Sequence, residues 1–159
     1  VDQWQLPSVS VGQILGLLEK LDQVGGKQDL YKLASEIHFE LGEILKVVDA
    51  AGMLKLVKAR EGDVILTPTG KNMVEGDIHR RKKLFLRQIK KIPIFQEIIS
   101  ALKAEEGKIS RETFQEKFSS RFAIPEADAI FRTIIDWGRY AELLSYSEDE
   151  EKICLEVHD

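Results

Sequence analysis

The sequence has a single cysteine, Cys154, so no disulfide can close within the chain, and the fold rests on apolar burial in a compartment that can be reducing. No apolar run approaches the ~18–20 residues needed to cross a bilayer, and no short apolar segment follows a basic amino terminus. Neither membrane insertion nor secretion is indicated, and a cytoplasmic location is expected. An excess of positive charge is also missing. The 23 Lys+Arg against 27 Asp+Glu give a formal charge of -4, without the overall positive field that nucleic-acid binding exploits.

Chemistry-bearing patterns are equally scarce. Gly25-Gly26-Lys27-Gln28 lacks the preceding strand and the spacing of a phosphate loop, and reads as a helix stop followed by a turn. His38, His79 and His158 fall on different predicted elements, none with a His or Cys partner at metal-ligand spacing, so no metal and no cofactor are expected. Cys154 alternates with Ile153 and Leu155 in a terminal strand and has no nearby base. With no convergent set of nucleophile, acid and base, and no catalytic residue to name, the expectation is a non-enzyme.

What the 159 residues do contain is an ordinary globular composition, 43% hydrophobic and 31% charged, enough for one domain or two small ones. Val11, Ile14, Leu15, Leu18 and Leu21 make a helical stripe after a cap at Ser8 or Ser10, stopped by Gly25-Gly26. A second helix starts near Asp29, burying Leu30, Leu33, Ala34 and Ile37. A third buries Leu41, Ile44, Leu45 and Val48 and ends at Gly52. Leu54–Val57 then faces Asp63–Leu66 across Lys58 to Gly62 as a hairpin, and Thr67-Pro68 opens another helix. Three short helices and a hairpin predict a winged helix-turn-helix.

The grammar repeats. Helices carrying Ile94, Phe95, Ile98, Ile99 and Leu102, then Phe114 and Phe118, then one opening at Pro125, precede a second hairpin. Its strands are Leu143-Leu144 and Ile153 to Val157, around the tip Glu148-Asp149-Glu150-Glu151. A shift of 86 lays Ile44 on Ile130, Leu45 on Phe131, Val48 on Ile134 and Gly52 on Gly138. The predicted fold class is therefore mainly α with small β-hairpins (α+β), as tandem winged helix-turn-helix units joined by a long helix. Unit 1 spans 6–77, a linking basic amphipathic helix 78–92, and unit 2 93–159.

On the linking helix, Arg80, Lys83, Arg87, Lys90 and Lys91 fall within one quadrant and Ile78, Phe85, Ile89 and Ile92 opposite, giving either a solvated face or a docking patch. The helices that would read a major groove carry Glu40, Glu43, Lys46 and Asp49, and Glu126, Asp128, Arg132, Asp136 and Arg139. Both are net negative, which opposes duplex binding. In Trp137-Gly138-Arg139-Tyr140-Ala141-Glu142-Leu143, Trp137 closes the helix stripe and Gly138 permits a positive-φ turn, while Arg139 and Tyr140 are the candidates for a partner contact.

Leu6-Pro7-Ser8-Val9-Ser10-Val11-Gly12, Asp29-Leu30-Tyr31-Lys32-Leu33-Ala34, Leu66-Thr67-Pro68-Thr69-Gly70 and Ile135-Asp136-Trp137-Gly138-Arg139-Tyr140-Ala141-Glu142-Leu143 together resemble the AAA-associated C-terminal domain family, in order over nearly the whole chain. The resemblance implies a domain appended after the nucleotide-binding domain of ABC transporter ATPases of the nitrate, sulfonate and taurine import type, at the cytoplasmic face of the inner membrane. A first residue that is valine rather than methionine fits an excised segment. ATP hydrolysis would belong to the preceding domain, leaving a non-catalytic regulatory or interaction module. Its partners would be the ATPase domain or subunits, including a second copy, with membrane reached only through the transporter. The alternative is a nucleic-acid-binding transcriptional regulator using the basic helix. A small-ligand sensor is a third class, for which the sequence offers no convergent polar set.

Overall fold

Ser10 opens the first helix with a reciprocal cap. Its Oγ accepts from the Gln13 N–H at 3.1 Å while Gln13 Oε1 accepts from the Ser10 N–H at 2.9 Å, satisfying two otherwise orphaned donors. Helix α1 (Val11–Gln23) buries Val11, Ile14, Leu17, Leu18 and Leu21, with Leu17 rather than Leu15 completing the stripe. It stops ahead of Gly25 and Gly26, which take φ of 93° and 94°. The computed structural model describes residues 6–118 and 124–156, so Val157 and His158 lie outside the described residues. Val9–Gln88 form one compact unit; Ile89–Asp159 with Val1–Ser8 form the other.

In the first unit, strand β1 (Lys27–Asp29) leads into α2 (Leu30–Glu36), where Asp29 Oδ2 accepts from the Lys32 N–H at 3.0 Å. Helix α3 (Leu41–Met53), strands β2 (Val57–Arg60) and β3 (Asp63–Leu66), and helix α4 (Pro68–Glu75) follow. Thr67 fixes the exit into α4. Its Oγ1 accepts from the Gly70 N–H at 3.0 Å and donates to the Lys55 carbonyl at 2.7 Å, with Pro68 at the first helical position. Helix α5 (Ile78–Ile89) ends the unit, but for its last residue. The second unit has α6 (Pro93–Ala104), β4 (Lys108–Ser110), α7 (Arg111–Phe118), α8 (Ile124–Tyr140), β5 (Leu144–Ser147) and β6 (Lys152–Leu155). Among the described residues the chain is mainly helical with two antiparallel three-stranded sheets, ordered β1-β3-β2 and β4-β6-β5.

Each sheet carries a third strand that the sequence does not announce. β1 and β4 are three residues long and show no alternation strong enough to stand apart from a turn. They exist because β3 and β6 offer them a free edge, pairing Lys27 with Ile65 and Lys108 with Cys154. The first hairpin also starts later than expected. Leu54 caps α3, Lys55 turns with a φ of 63°, and β2 begins at Val57, so Lys58 to Arg60 are strand and only Glu61-Gly62 is turn.

The duplication is written in the backbone. Gly26 N–H donates to Leu21 O and Leu66 N–H to Gly26 O. In the second unit Gly107 N–H donates to Leu102 O and Leu155 N–H to Gly107 O. The end of α3 and the end of α8 match in the same way, Leu56 N–H reaching Ala51 O and Leu143 N–H reaching Gly138 O, both at 2.9 Å. These pairs place α3 on α8 with an offset of 87, not 86. Ile44 then corresponds to Phe131, Val47 to Ile134, Val48 to Ile135 and Ala50 to Trp137, all buried. The expected pairing of Leu45 with Phe131 fails because Leu45 is exposed.

The same offset corrects the glycines. Gly52 and Gly138 both lie inside their helices, and the left-handed residues are Lys55 and Glu142, with φ of 63° and 58°. Gly138 is a close approach. A Cβ there would collide with the Leu144 side chain. Trp137 beside it is fully buried and stacks on Phe95, ring centroids 6.3 Å apart.

Candidate functional site

Helix α5 and its approach are built for one exposed cationic face. Asp77 Oδ1 accepts from the Arg80 N–H at 2.8 Å and starts the helix. Arg81 then anchors it, donating through Nη2 to Val74 O at 2.7 Å and through Nε to Gly76 O at 3.2 Å, while Nη1 meets Glu19 Oε1 at 3.2 Å. Leu84, Phe85 and Ile89 are buried, and buried Gln88 donates from Nε2 to Leu54 O at 2.8 Å. Opposite them Arg80, Lys83 and Arg87 are exposed, and none of these three side chains has a carboxylate partner among the described residues. The apolar side is narrower than the periodicity suggests: Phe85, Ile89 and Ile92 are buried, whereas Ile78 is 68% exposed.

Lys90 and Lys91 do not share the helix. α5 ends at Ile89 because Pro93 occupies the first position of α6 and holds Ile92 extended, at φ -82° and ψ 125°, so the two lysines fall in the intervening turn. They also belong to the second unit. The structure therefore places three of the five predicted cations on α5 and the other two in the turn that follows it.

Arg139 and Tyr140 are likewise separated. Arg139 is exposed and donates through Nη2 to Tyr146 O at 3.0 Å, whereas Tyr140 is half-buried. Arg139 lines a cleft of 370 Å³ together with Arg111, Phe131, Arg132, Ile135, Asp136 and Tyr146, and Glu148 from the β5–β6 turn borders the same cleft. The Arg111 guanidinium lies 4.7 Å over the Phe131 ring and reaches Asp128 at 3.6 Å, while Tyr146 meets Phe131 edge-on at 5.4 Å. Sequence reading passed over Arg111 and Tyr146, which lie on α7 and β5 and become neighbours of α8 only through the sheet. A signal was available in the repeat. The backbone correspondence puts Arg111, Arg132, Arg139 and Tyr146 where the first unit has Leu30, Leu45, Gly52 and Ala59.

The turn between β5 and β6 is the complementary extreme. Glu148, Asp149, Glu150 and Glu151 are all exposed, and none has a cationic partner among the described residues. Ser147 Oγ accepts from the Glu150 N–H at 3.3 Å and Glu151 turns with a φ of 52°, shaping a four-residue tip where the first hairpin has two. Among the described residues no group of three His, Cys, Asp or Glu could hold a metal ion, and no helix is long and apolar enough to cross a membrane.

Two units that share the order helix–strand–helix–helix–strand–strand, the first continuing into α4 and α5, carry cationic, arginine–aromatic and acidic surfaces and define a duplicated α+β domain. The sequence matches the family described as the C-terminal AAA-associated domain over residues 31–147, and the chain belongs to that family. No curated protein and no solved structure matches it.

Proposed function

We propose that the chain is a non-catalytic regulatory and interaction module at the C-terminus of an ABC transporter ATP-binding subunit of the nitrate, sulfonate and taurine type, working at the cytoplasmic face of the inner membrane. Its two units are read as winged helix-turn-helix folds that contact protein rather than duplex. The observation that carries this reading is the match to the C-terminal AAA-associated domain over residues 31–147, a family whose description ties it to an ATPase. The surface supports it. Arg80, Lys83 and Arg87 are exposed on one side of a helix that itself contains no carboxylate, which suits an acidic protein surface. Along α8, by contrast, Asp128 and Asp136 alternate with Arg132 and Arg139, so phosphates approaching that helix meet both signs.

The module acts by favouring one arrangement of the ATPase over another, and its effect is limited by its differential affinity for the two. Deleting it from the parent ATPase is expected to change hydrolysis or the response of hydrolysis to substrate. Steady-state ATPase assays of the full and truncated subunits measure this, and identical behaviour would reject the reading. A gel shift on mixed duplexes at low salt is expected to show no binding. A shift lost on charge reversal of Arg80, Arg87, Lys90 and Lys91 would favour a nucleic-acid regulator instead.

A further inference from the structure

We infer that the cationic face of α5 is a docking surface for the acidic β5–β6 tip of a second copy of this chain. The inference rests on the reading of the chain as a protein-contact module, and names the partner.

The argument is one of charge placement. Seven of the 23 Lys+Arg lie within residues 78–92, which contain no carboxylate, and the rest of the chain carries all 27 Asp+Glu. Of those seven, Arg81 is spent on holding α5 to Val74, Gly76 and Glu19. Arg80, Lys83 and Arg87 are left exposed on one side of a helix whose opposite side is buried, so their geometry is fixed by the core rather than by a flexible segment. Four consecutive carboxylates sit at the other extreme, on a hairpin whose strands are held in register from Leu144–Leu155 to Ser147–Lys152. Like charges so close repel one another, and the first hairpin turns the corner with Glu61-Gly62 alone. The lengthened tip thus concentrates negative charge at one exposed corner, which a cationic surface complements.

Both patches are exposed and lack oppositely charged partners among the described residues, so each is available to another molecule. A second copy presents both members of the pair. Each copy thus offers one face and one tip to its neighbour. Exposed ion pairs are individually weak, so the free chains associate loosely and lose the contact in salt. Tethering two copies to a common assembly raises their effective concentration, and the same contact then becomes populated.

The test uses the 159-residue chain in sedimentation equilibrium at low salt. The unsubstituted chain is expected to self-associate, more weakly as salt rises. The face variant Arg80→Glu, Lys83→Glu, Arg87→Glu and the tip variant Glu148→Lys, Asp149→Lys, Glu150→Lys should each weaken self-association at least ~10-fold, since each sets like charge against like. An equimolar mixture of the two should associate again, because the reversed face of one meets the reversed tip of the other. Recovery in the mixture also shows that both variants are folded. A chain that stays monomeric up to about 1 mM, or association indifferent to either reversal, overturns the inference while leaving the ATPase deletion result to judge the proposed function separately. Face-dependent sedimentation with phosphatidylglycerol vesicles, without charge-dependent self-association, would overturn it in favour of an anionic membrane surface.

Discussion

Two glycines show how little of a residue's role its identity discloses. Gly70 and Gly138 both lie in helices, where alanine is intrinsically better by about 1 kcal/mol. Each is kept by a close approach, but to different obstacles. A Cβ on Gly70 would run into the Leu56 carbonyl, a backbone group fixed by the Thr67 N–H at 3.0 Å, whereas on Gly138 it would meet the side chain of Leu144. Side chains rotate and backbone does not. Gly70→Ala is therefore expected to cost about 1–3 kcal/mol, and Gly138→Ala less, because Leu144 can shift and the helix gains propensity. Urea denaturation of the two variants measures the order. Equal losses would show that Leu144 is as immovable as the Leu56 carbonyl. Sequence pattern had assigned Gly138 a positive φ, the commoner reason for a glycine near a helix end; the actual reason lies three-dimensionally six residues ahead, where no local rule reaches.

At the scale of elements, helices were legible and short strands were not. Stripes such as Ile14–Leu18–Leu21 and Ile94–Ile98–Leu102 declare themselves because one face of a 3.6-residue period must be buried, and the caps at Ser10 and Thr67 follow from local hydrogen bonding. β1 and β4 depend on an edge presented by strands 36 to 44 residues away, information absent from three residues of sequence. The repeat offset failed for a related reason. Matching Gly52 to Gly138 maximises similarity of type, while the fold conserves burial and hydrogen bonding, and these put Ala51 opposite Gly138. On α5 the exposed cations were legible from angle alone, but the division of labour among them was not. Arg81 makes two hydrogen bonds to carbonyls and an ion pair, while the Arg80 side chain makes none among the described residues. Arg81→Ala is expected to cost about 1.5–3 kcal/mol and Arg80→Ala within about 0.5, read from thermal or urea melts. Equal, small effects would reduce Arg81 to another solvated charge.

For the whole molecule, the formal charge of -4 conceals an arrangement. Sixteen cations face 27 carboxylates outside residues 78–92, and within them seven cations face none. A sum could not distinguish this from a uniformly mixed surface, which is why composition excluded function classes more readily than it chose one. The two units diverge in the same sense: apolar and small residues at Leu30, Leu45, Gly52 and Ala59 correspond to three arginines and a tyrosine around the cleft of the second. The copies keep a common backbone and differ at these surface positions.

The unequal hairpins carry one more consequence. The chain has in effect run its own insertion experiment: one copy turns its corner in two residues, the other in four, and the strands on either side keep the same pairing. The Glu61-Gly62 corner is thus a grafting port, a place where foreign sequence can enter without unsettling the register. Lengthening it by two residues should leave the melting temperature within about 2 °C, whereas the same insertion inside β3 should abolish cooperative melting of that unit. A binding epitope placed at that corner would then report on the first unit alone, giving each half of a duplicated domain its own handle.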